Sequence, residues 1–87
     1  SPDPRAIGRY HVVRKLGEGG MGLVYAAEDE VLGRRVAVKR LKSGDEASRR
    51  RFWREARAAA RLSHPNVCQL YEVGEDSQGL FLAMVNY

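Results

Sequence analysis

Leu16-Gly-Glu-Gly-Gly-Met-Gly-Leu-Val24 is the stretch from which the rest of the 87-residue chain can be interpreted. Four of its nine residues are glycines, and a glycine cluster inside a β-hairpin needs a physical reason, because glycine loses much conformational entropy on folding. One reason is close approach, since backbone N–H groups without a neighbouring Cβ can lie against a phosphate. The other is a flexible turn, and glycine spacing alone does not separate the two.

Apolar and β-branched segments flank this stretch and predict strands. Tyr10–Leu16 and Leu23–Glu28 form a predicted hairpin with the glycines at its tip. Arg35–Leu41 is a third predicted strand, in which successive side chains alternate between two faces. That alternation places Ala37 and Lys39 on the same face of the sheet.

A helix is predicted after the third strand, because Ser43 and Glu46 have the spacing of a capping box. We expect it to end near Leu62, since Pro65 cannot continue a helix. Helical spacing separates a basic stripe from an apolar stripe, which consist of Arg50, Arg54, Arg57 and Arg61 and of Phe52, Ala56, Ala59 and Leu62. Glu55 stands at the edge of the apolar stripe, where a carboxylate needs a partner.

Two further strands, Val67–Gly74 and Leu80–Val85, are joined by the polar loop Glu75–Gly79. Every connection except the helix is short enough for a hairpin. The order predicts an α+β fold, a five-stranded antiparallel sheet with one packed helix. Residues 1–9, with two prolines and little apolar content, are expected to be a flexible lead-in to a single domain over residues 10–87.

The composition is that of one small globular domain, with 44% hydrophobic and 30% charged residues and no internal repeat. No apolar run approaches the roughly 18 residues of a membrane span, so no membrane contact is expected. A single cysteine, Cys68, excludes an internal disulfide and suits a reducing, cytoplasmic compartment. The net charge of +4 reflects arginines that crowd the predicted helix.

Three motifs follow one another on the predicted elements. They are Gly17-Glu-Gly-Gly-Met-Gly-Leu-Val24 at the hairpin, Val36-Ala-Val-Lys39 on the third strand, and Phe52–Ala60 with His64-Pro-Asn66 at the helix and its exit. In this order they resemble the N-terminal, ATP-binding lobe of a bacterial Hanks-type serine/threonine protein kinase, with its Gly-x-Gly-x-x-Gly-x-Val loop and strand lysine. The resemblance extends from Tyr10 to Met84.

The resemblance implies a nucleotide site, with ATP and Mg²⁺ as cofactors and no metal site made by the protein alone. The glycine loop would lie over the phosphates, Lys39 would reach the α- and β-phosphates, and Glu55 would hold the lysine through an ion pair. Lys39 and Glu55 are therefore the expected catalytic residues. The implied cofactor-binding residues are Leu16, Gly17, Gly19, Gly20, Gly22, Val24, Ala37, Lys39, Met84, Val85 and Tyr87. For Val24, Ala37 and Met84, ordinary core packing is an equally compatible role.

The kinase reaction also needs an Asp base in a His-Arg-Asp loop, an Asn ligand and the metal-binding Asp of Asp-Phe-Gly, which the family carries on its C-terminal lobe. None of these motifs occurs in the 87 residues. The resemblance thus implies a lobe that stops at the hinge and cannot act as a kinase alone. The family commonly has Met-Glu-Tyr at the hinge, where this chain has Met84-Val-Asn-Tyr87.

An alternative function is phosphate-ester hydrolysis by a self-associating kinase fragment. A lobe face left open would expose apolar surface, which predicts a homodimer. Two glycine loops and two copies of Lys39 around a shared cleft could stabilise charge on a phosphoryl group, with Glu55 and Cys68 as further candidate groups. Gly74 stands where a Cys-x₅-Arg phosphatase motif would have arginine, so a buried and inert Cys68 is the simpler interpretation.

The arginine stripe permits binding to nucleic acid or to an acidic partner. A solvated helix face explains the stripe more simply, and Phe52 and Trp53 are expected in the core rather than on a stacking platform. Nucleic acid is therefore not expected as a partner.

Overall fold

The computed structural model describes residues 4–19, 22–42, 44–61 and 70–85. These ranges contain β1 (Ala6–Ile7), β2 (Tyr10–Glu18), β3 (Gly22–Asp29), β4 (Arg34–Leu41), α1 (Glu46–Arg61), β5 (Leu70–Asp76) and β6 (Gly79–Val85). The strands form one sheet in the order β1-β2-β3-β4-β6-β5, and every neighbouring pair is antiparallel. The predicted α+β class, with one helix on an antiparallel sheet, is confirmed for the described part of the chain.

Within the described residues the sheet has six strands where five were predicted, and the additional strand is β1. It pairs with the start of β2, with Ile7 opposite Tyr10, and the side chain of Ile7 is fully buried. Sequence reasoning placed these residues in the lead-in, because two apolar residues among prolines and polar residues are too short a pattern to predict a strand. Gly8 makes the connection at a φ of 57°, a conformation that favours glycine. The lysine motif therefore lies on the fourth strand, not the third.

The hairpin between β2 and β3 is longer than predicted and contains two irregularities on the β2 side. The register shifts between Val12 and Arg14 and again between Lys15 and Gly17, so that Gly17 lies opposite Val24. The N–H group of Gly19 donates to the carbonyl of Gly22 at 2.9 Å, which extends the pairing into the glycine loop. Irregularities of this kind, such as β-bulges, increase the local bend and twist of a strand, and the second one lies immediately before this loop.

The two faces of the sheet carry separate hydrophobic clusters. The face without the helix buries Ile7, Tyr10, Tyr25, Ala27, Val36, Val38, Phe81 and Ala83. On the other face, Phe52 and Ala56 of α1 pack with Leu41, Leu80 and Leu82 of the sheet. Burial of a side chain the size of Phe52, which is 1% exposed, contributes about 1.5–3 kcal/mol, so this contact fixes the helix against β4 and β6.

The helix begins later than predicted. Asp45, not Ser43, occupies the observed cap, because its Oδ1 accepts the backbone N–H of Ser48 at 2.8 Å and its carbonyl accepts the N–H of Arg49 at 3.0 Å. Asp is a strong N-cap residue, and a start at Ser43 would place a poor helix former, Gly44, in the first turn. Ser43 lies outside the described residues, as does the stretch from 62 to 69 that contains the predicted helix stop.

The two predicted stripes of α1 are observed where its residues are described. Phe52 and Ala56 are buried, Ala59 is half-buried, and Arg50, Arg54, Arg57 and Arg61 are exposed. Trp53 differs from expectation, because it is 37% exposed rather than part of the core. It follows Phe52 directly, and adjacent helical residues point in directions about 100° apart. Its ring contacts Phe52 edge-on at 6.2 Å between centroids.

An ion pair joins β4 to the hairpin of β5 and β6. The guanidinium of Arg40, on a residue that is 8% exposed, donates to both carboxylate oxygens of Asp76 at 2.8 and 2.6 Å and to the carbonyl of Gly79 at 3.1 Å. The same carboxylate accepts the N–H of Gln78 at 2.9 Å, which closes a hairpin turn shorter than the predicted loop. Asp76 therefore shapes the turn and neutralises a buried cation at the same time.

Candidate functional site

The residues predicted to bind a ligand converge on the sheet face that carries α1. Val24 lies opposite Lys39 in the ladder between β3 and β4, and Ala37 lies opposite Met84 between β4 and β6. Directly opposed residues of an antiparallel pair project to the same face, so these four side chains share it. All four are half-buried, as expected for a surface that is neither core nor fully solvated.

Lys39 is held by a carboxylate from the helix. Its Nζ lies 3.0 Å from Oε2 of Glu55 and donates a hydrogen bond to it. The lysine side chain is 24% exposed and the glutamate 44% exposed. An ion pair with this much solvent contact adds only about 0–1 kcal/mol to stability, so its main effect is to fix the direction of the lysine. The pairing of Glu55 with Lys39, which the resemblance implied, is thus observed as a contact.

The glycines of the loop differ in what the fold requires of them. A Cβ at Gly22 would lie 2.5 Å from the carbonyl oxygen of Arg40 and 3.7 Å from Cε of Lys39, so the fold alone demands glycine there. A Cβ at Gly17 or Gly19 would meet nothing within 4 Å. Gly22 is therefore explained by the close approach of another group to its backbone, but that group is the neighbouring strand β4 and not a ligand. At Gly17 and Gly19 the surrounding protein sets no such limit, which leaves open space over the backbone.

Glu18, inside the glycine loop, contacts two lysines that sequence reasoning did not connect with it. Its Oε1 accepts from Lys15 at 2.8 Å and its Oε2 accepts from Lys42 at 2.6 Å. The hydrogen bonds from Lys15 and Lys42 lower the pKa of Glu18 to about 2. The Lys42 contact ties the loop to the end of β4, the strand that carries Lys39. Lys15 stands at the second register shift of β2, and such irregularities leave little signal in a sequence.

The structure describes only some of the remaining predicted site residues. Leu16 lies at the second bulge of β2 and is 42% exposed. The backbone of Val85 pairs with Val36 at the end of β6. Gly20, Tyr87 and Cys68 lie outside the described residues.

Among the described residues, no group of three or more His, Cys, Asp or Glu side chains is arranged to hold a metal ion. In the same ranges no helix is both long and apolar enough to cross a membrane.

Comparison with known proteins identifies the family. The protein kinase domain pattern matches residues 10–86. The chain belongs to the protein kinase domain family. Over 83 residues it is 43% identical to the serine/threonine-protein kinase PrkC of Bacillus subtilis, and over 79 residues it is 43% identical to the serine/threonine-protein kinase PknD of Chlamydia trachomatis. The resemblance to bacterial serine/threonine kinases is therefore confirmed.

Solved kinase domains share the fold. The crystal structure of the Mycobacterium tuberculosis PknI kinase domain superimposes with a TM-score of 0.72 and 37% identity, over 93% of this chain and 34% of that one. The match to PrkC includes 92% of this chain but only 13% of the length of PrkC. The match to PknD includes 87% of this chain and 8% of the length of PknD. These relatives are kinases and lend no support to the phosphate-ester hydrolase alternative.

Proposed function

We propose that the chain is the ATP-binding part of a serine/threonine protein kinase, with residues 10–87 acting as one nucleotide-binding domain. The observation that carries the proposal is the Lys39–Glu55 ion pair, 3.0 Å long, on the sheet face beside the glycine loop. A fixed and partly exposed ammonium next to open loop backbone is suited to a polyphosphate. ATP is the proposed nucleotide because the relatives of this chain are protein kinases.

The phosphates would be bound by two kinds of donor. The loop backbone would be the first, because a Cβ at Gly17 or Gly19 meets nothing within 4 Å among the described residues and phosphates could approach closely there. Lys39 supplies a positive charge whose direction is set by Glu55. Mg²⁺ would be carried by the nucleotide phosphates, where it neutralises charge between neighbouring phosphate groups. Gly20 and Gly22 complete the loop in this proposal.

The adenine ring would lie against the apolar part of the same face. Val24, Ala37 and Met84 are half-buried there, and Leu16 stands exposed at the bulge that precedes the loop. A flat aromatic ring gains affinity by covering such side chains, which are too exposed to be core and too apolar to be ordinary surface. The backbone of Val85 and Tyr87 would supply the hydrogen bonds to the edge of the ring.

Phosphoryl transfer itself is not proposed for these 87 residues acting alone. An Asp base and a metal-binding Asp in kinase motifs position the nucleophile and the metal in this family. The sequence contains neither motif. Nucleotide binding, not turnover, is therefore the activity to measure.

Isothermal titration with Mg·ATP tests the proposal. Lys39→Met should weaken binding at least tenfold, because it removes the charge that meets the phosphates. Arg35→Met is the matched control, since it removes one positive charge from the same strand about 13 Å away at 3.3 Å per residue. We expect the control to bind within twofold of the wild type. Equal binding by Lys39→Met, or no binding by the wild type, would contradict the proposal.

A homodimer and a cytoplasmic location complete the proposal. Self-association would cover apolar side chains that the described sheet leaves exposed, among them Val13 at 56% and Leu16 at 42%. Light scattering at high concentration should give twice the 9.8 kDa monomer mass, and a monomer mass at every concentration would refute the dimer.

A further inference from the structure

The positive charge of the chain is concentrated on one element. Six arginines and two glutamates lie between Glu46 and Arg61, which leaves α1 four positive charges, as many as the whole chain carries. The remainder of the chain is therefore neutral overall. A charge imbalance confined to one helix face indicates that this face, rather than the molecule as a whole, attracts oppositely charged groups.

Among the described residues, four of the six arginines of α1 form no ion pair. Arg49 lies 3.4 Å from Glu75 and Arg50 lies 3.6 Å from Glu46. Within the described ranges, no carboxylate comes within ion-pair distance of the other four, which are Arg51, Arg54, Arg57 and Arg61. The second acid of the helix, Glu55, is occupied by Lys39. The basic face therefore has more cations than the carboxylates of the described residues neutralise.

A groove with an aromatic wall lies on this face. It has a volume of about 370 Å³ and is lined by Gly44, Glu46, Arg49, Arg50, Trp53 and Arg57. Trp53 is anchored through its edge contact with the buried Phe52 ring and still exposes 37% of its surface. A second, smaller groove of about 230 Å³ lies between Ala47, Arg50, Arg51 and Arg54. Shape, charge and an exposed aromatic side chain thus occur together.

We propose that the exposed face of α1 is a docking surface for an acidic peptide segment of a protein partner. Arginine guanidinium groups bind carboxylates through paired hydrogen bonds. At 1.5 Å per helical residue, the guanidinium stems of Arg50, Arg54, Arg57 and Arg61 start about 4.5–6 Å apart along the axis. Alternate side chains of an extended peptide are about 6.6–6.8 Å apart, so successive acidic side chains can meet successive arginines.

The same observations favour a peptide over a nucleic acid. Proteins that bind single strands stack successive bases on several aromatic side chains. The helix offers only Trp53, since Phe52 is 1% exposed. One aromatic wall in a shallow groove suits a single apolar residue within an acidic segment. This docking surface lies on the opposite side of the helix from the Glu55 contact, so the inference does not depend on nucleotide binding.

Fluorescence anisotropy on the full 87-residue chain tests the docking surface. The probe is a labelled twelve-residue peptide of alternating glutamate and serine, with a glutamine-serine peptide of equal length as the neutral reference. Arg54→Gln/Arg57→Gln should weaken binding of the acidic peptide at least tenfold. Arg14→Gln/Arg35→Gln removes the same charge from exposed positions on the sheet and should change the affinity less than twofold. All four side chains are exposed, so both double variants should retain the wild-type melting temperature.

A selective loss in the helix variant, with weaker binding at higher salt, supports the docking surface. An equal loss in both variants would show general attraction between charges and would overturn it. Tighter binding of a twelve-nucleotide single-stranded DNA than of the acidic peptide, or no peptide binding by the wild type, would overturn it as well.

Discussion

Glu18 shows how one side chain can organise a loop whose other residues are mostly glycine. Its carboxylate accepts hydrogen bonds from Lys15 before the loop and from Lys42 after β4. Both bonds favour the charged form and lower the pKa of Glu18 to about 2. The loop is thereby fastened to the end of the strand that carries Lys39.

Glu18→Gln should change the pH dependence of stability. A carboxylate whose pKa is lower in the folded chain than its usual value near 4.5 stabilises the fold above that value, and the contribution is lost as the pH falls toward 2. The melting temperature of the wild type should therefore exceed that of Glu18→Gln at pH 7, and the two should converge near pH 2. Thermal melts at pH 7, 4 and 2 measure this. Glu30→Gln, an exposed carboxylate in the turn after β3, is the control and should follow the wild type at each pH.

At the scale of the elements, the ion pair between Arg40 and Asp76 joins neighbouring parts of the sheet. The pair connects β4 with the β5–β6 hairpin, and the hydrogen bond from Arg40 is the main reason that the pKa of Asp76 falls to about 2. Asp76→Ala would leave the buried guanidinium without its counter-ion and remove the acceptor that closes the turn. We expect a loss of about 2–3 kcal/mol in the free energy of unfolding, toward the lower end for buried pairs because Asp76 is 27% exposed. Urea denaturation measures this, and a loss below about 0.5 kcal/mol would show that the pair is not structural.

The packing between β5 and β6 requires a residue without a side chain at position 74. Gly74 lies opposite Phe81, and a Cβ at Gly74 would come within 2.5 Å of Cζ of that ring. Phe81 is 4% exposed and its ring also approaches Gly8 and Tyr10, so it has little room to move.

Gly74→Ala should therefore destabilise the sheet by about 1–3 kcal/mol, the usual cost of overpacking a filled core. Gly44→Ala is the matched control, because a Cβ at Gly44 meets nothing within 4 Å. Chemical denaturation of the two variants should separate them clearly. Equal stabilities would mean that Phe81 moves aside at little cost.

At the scale of the whole molecule, residue patterns that extend over several positions predicted most of the strands and the two faces of the helix. Apolar and β-branched segments identified β2, β3, β5 and β6, alternation between two faces identified β4, and helical spacing identified the buried and basic faces of α1. The same spacing singled out Glu55, because a carboxylate at the edge of an apolar stripe needs a cation. Kinase membership followed from three motifs in the right order, and the family comparison confirmed it.

The features that escaped prediction depend on single contacts. Strand β1 contributes one fully buried side chain, Ile7. The start of the helix depends on which of two possible residues, Ser43 or Asp45, caps it. The Glu18 contacts join residues on either side of a register shift in β2 and at the end of β4, and no residue pattern indicates them. Trp53 is exposed because it lies beside, rather than on, the apolar stripe. A hydrophobic pattern extends over several residues, whereas each of these features depends on one or two residues and so leaves no pattern to detect.

The central claim is that Lys39 binds nucleotide phosphates in a position set by Glu55, and a double-mutant cycle on Mg·ATP affinity tests it most directly. We expect Lys39→Met to weaken binding at least tenfold and Glu55→Gln to weaken it about three- to tenfold, a loss of about 0.7–1.4 kcal/mol. In the Lys39→Met background, Glu55→Gln should have no further effect, because the group it positions is gone. Equal losses for Glu55→Gln in both backgrounds, or no loss in either, would contradict the account.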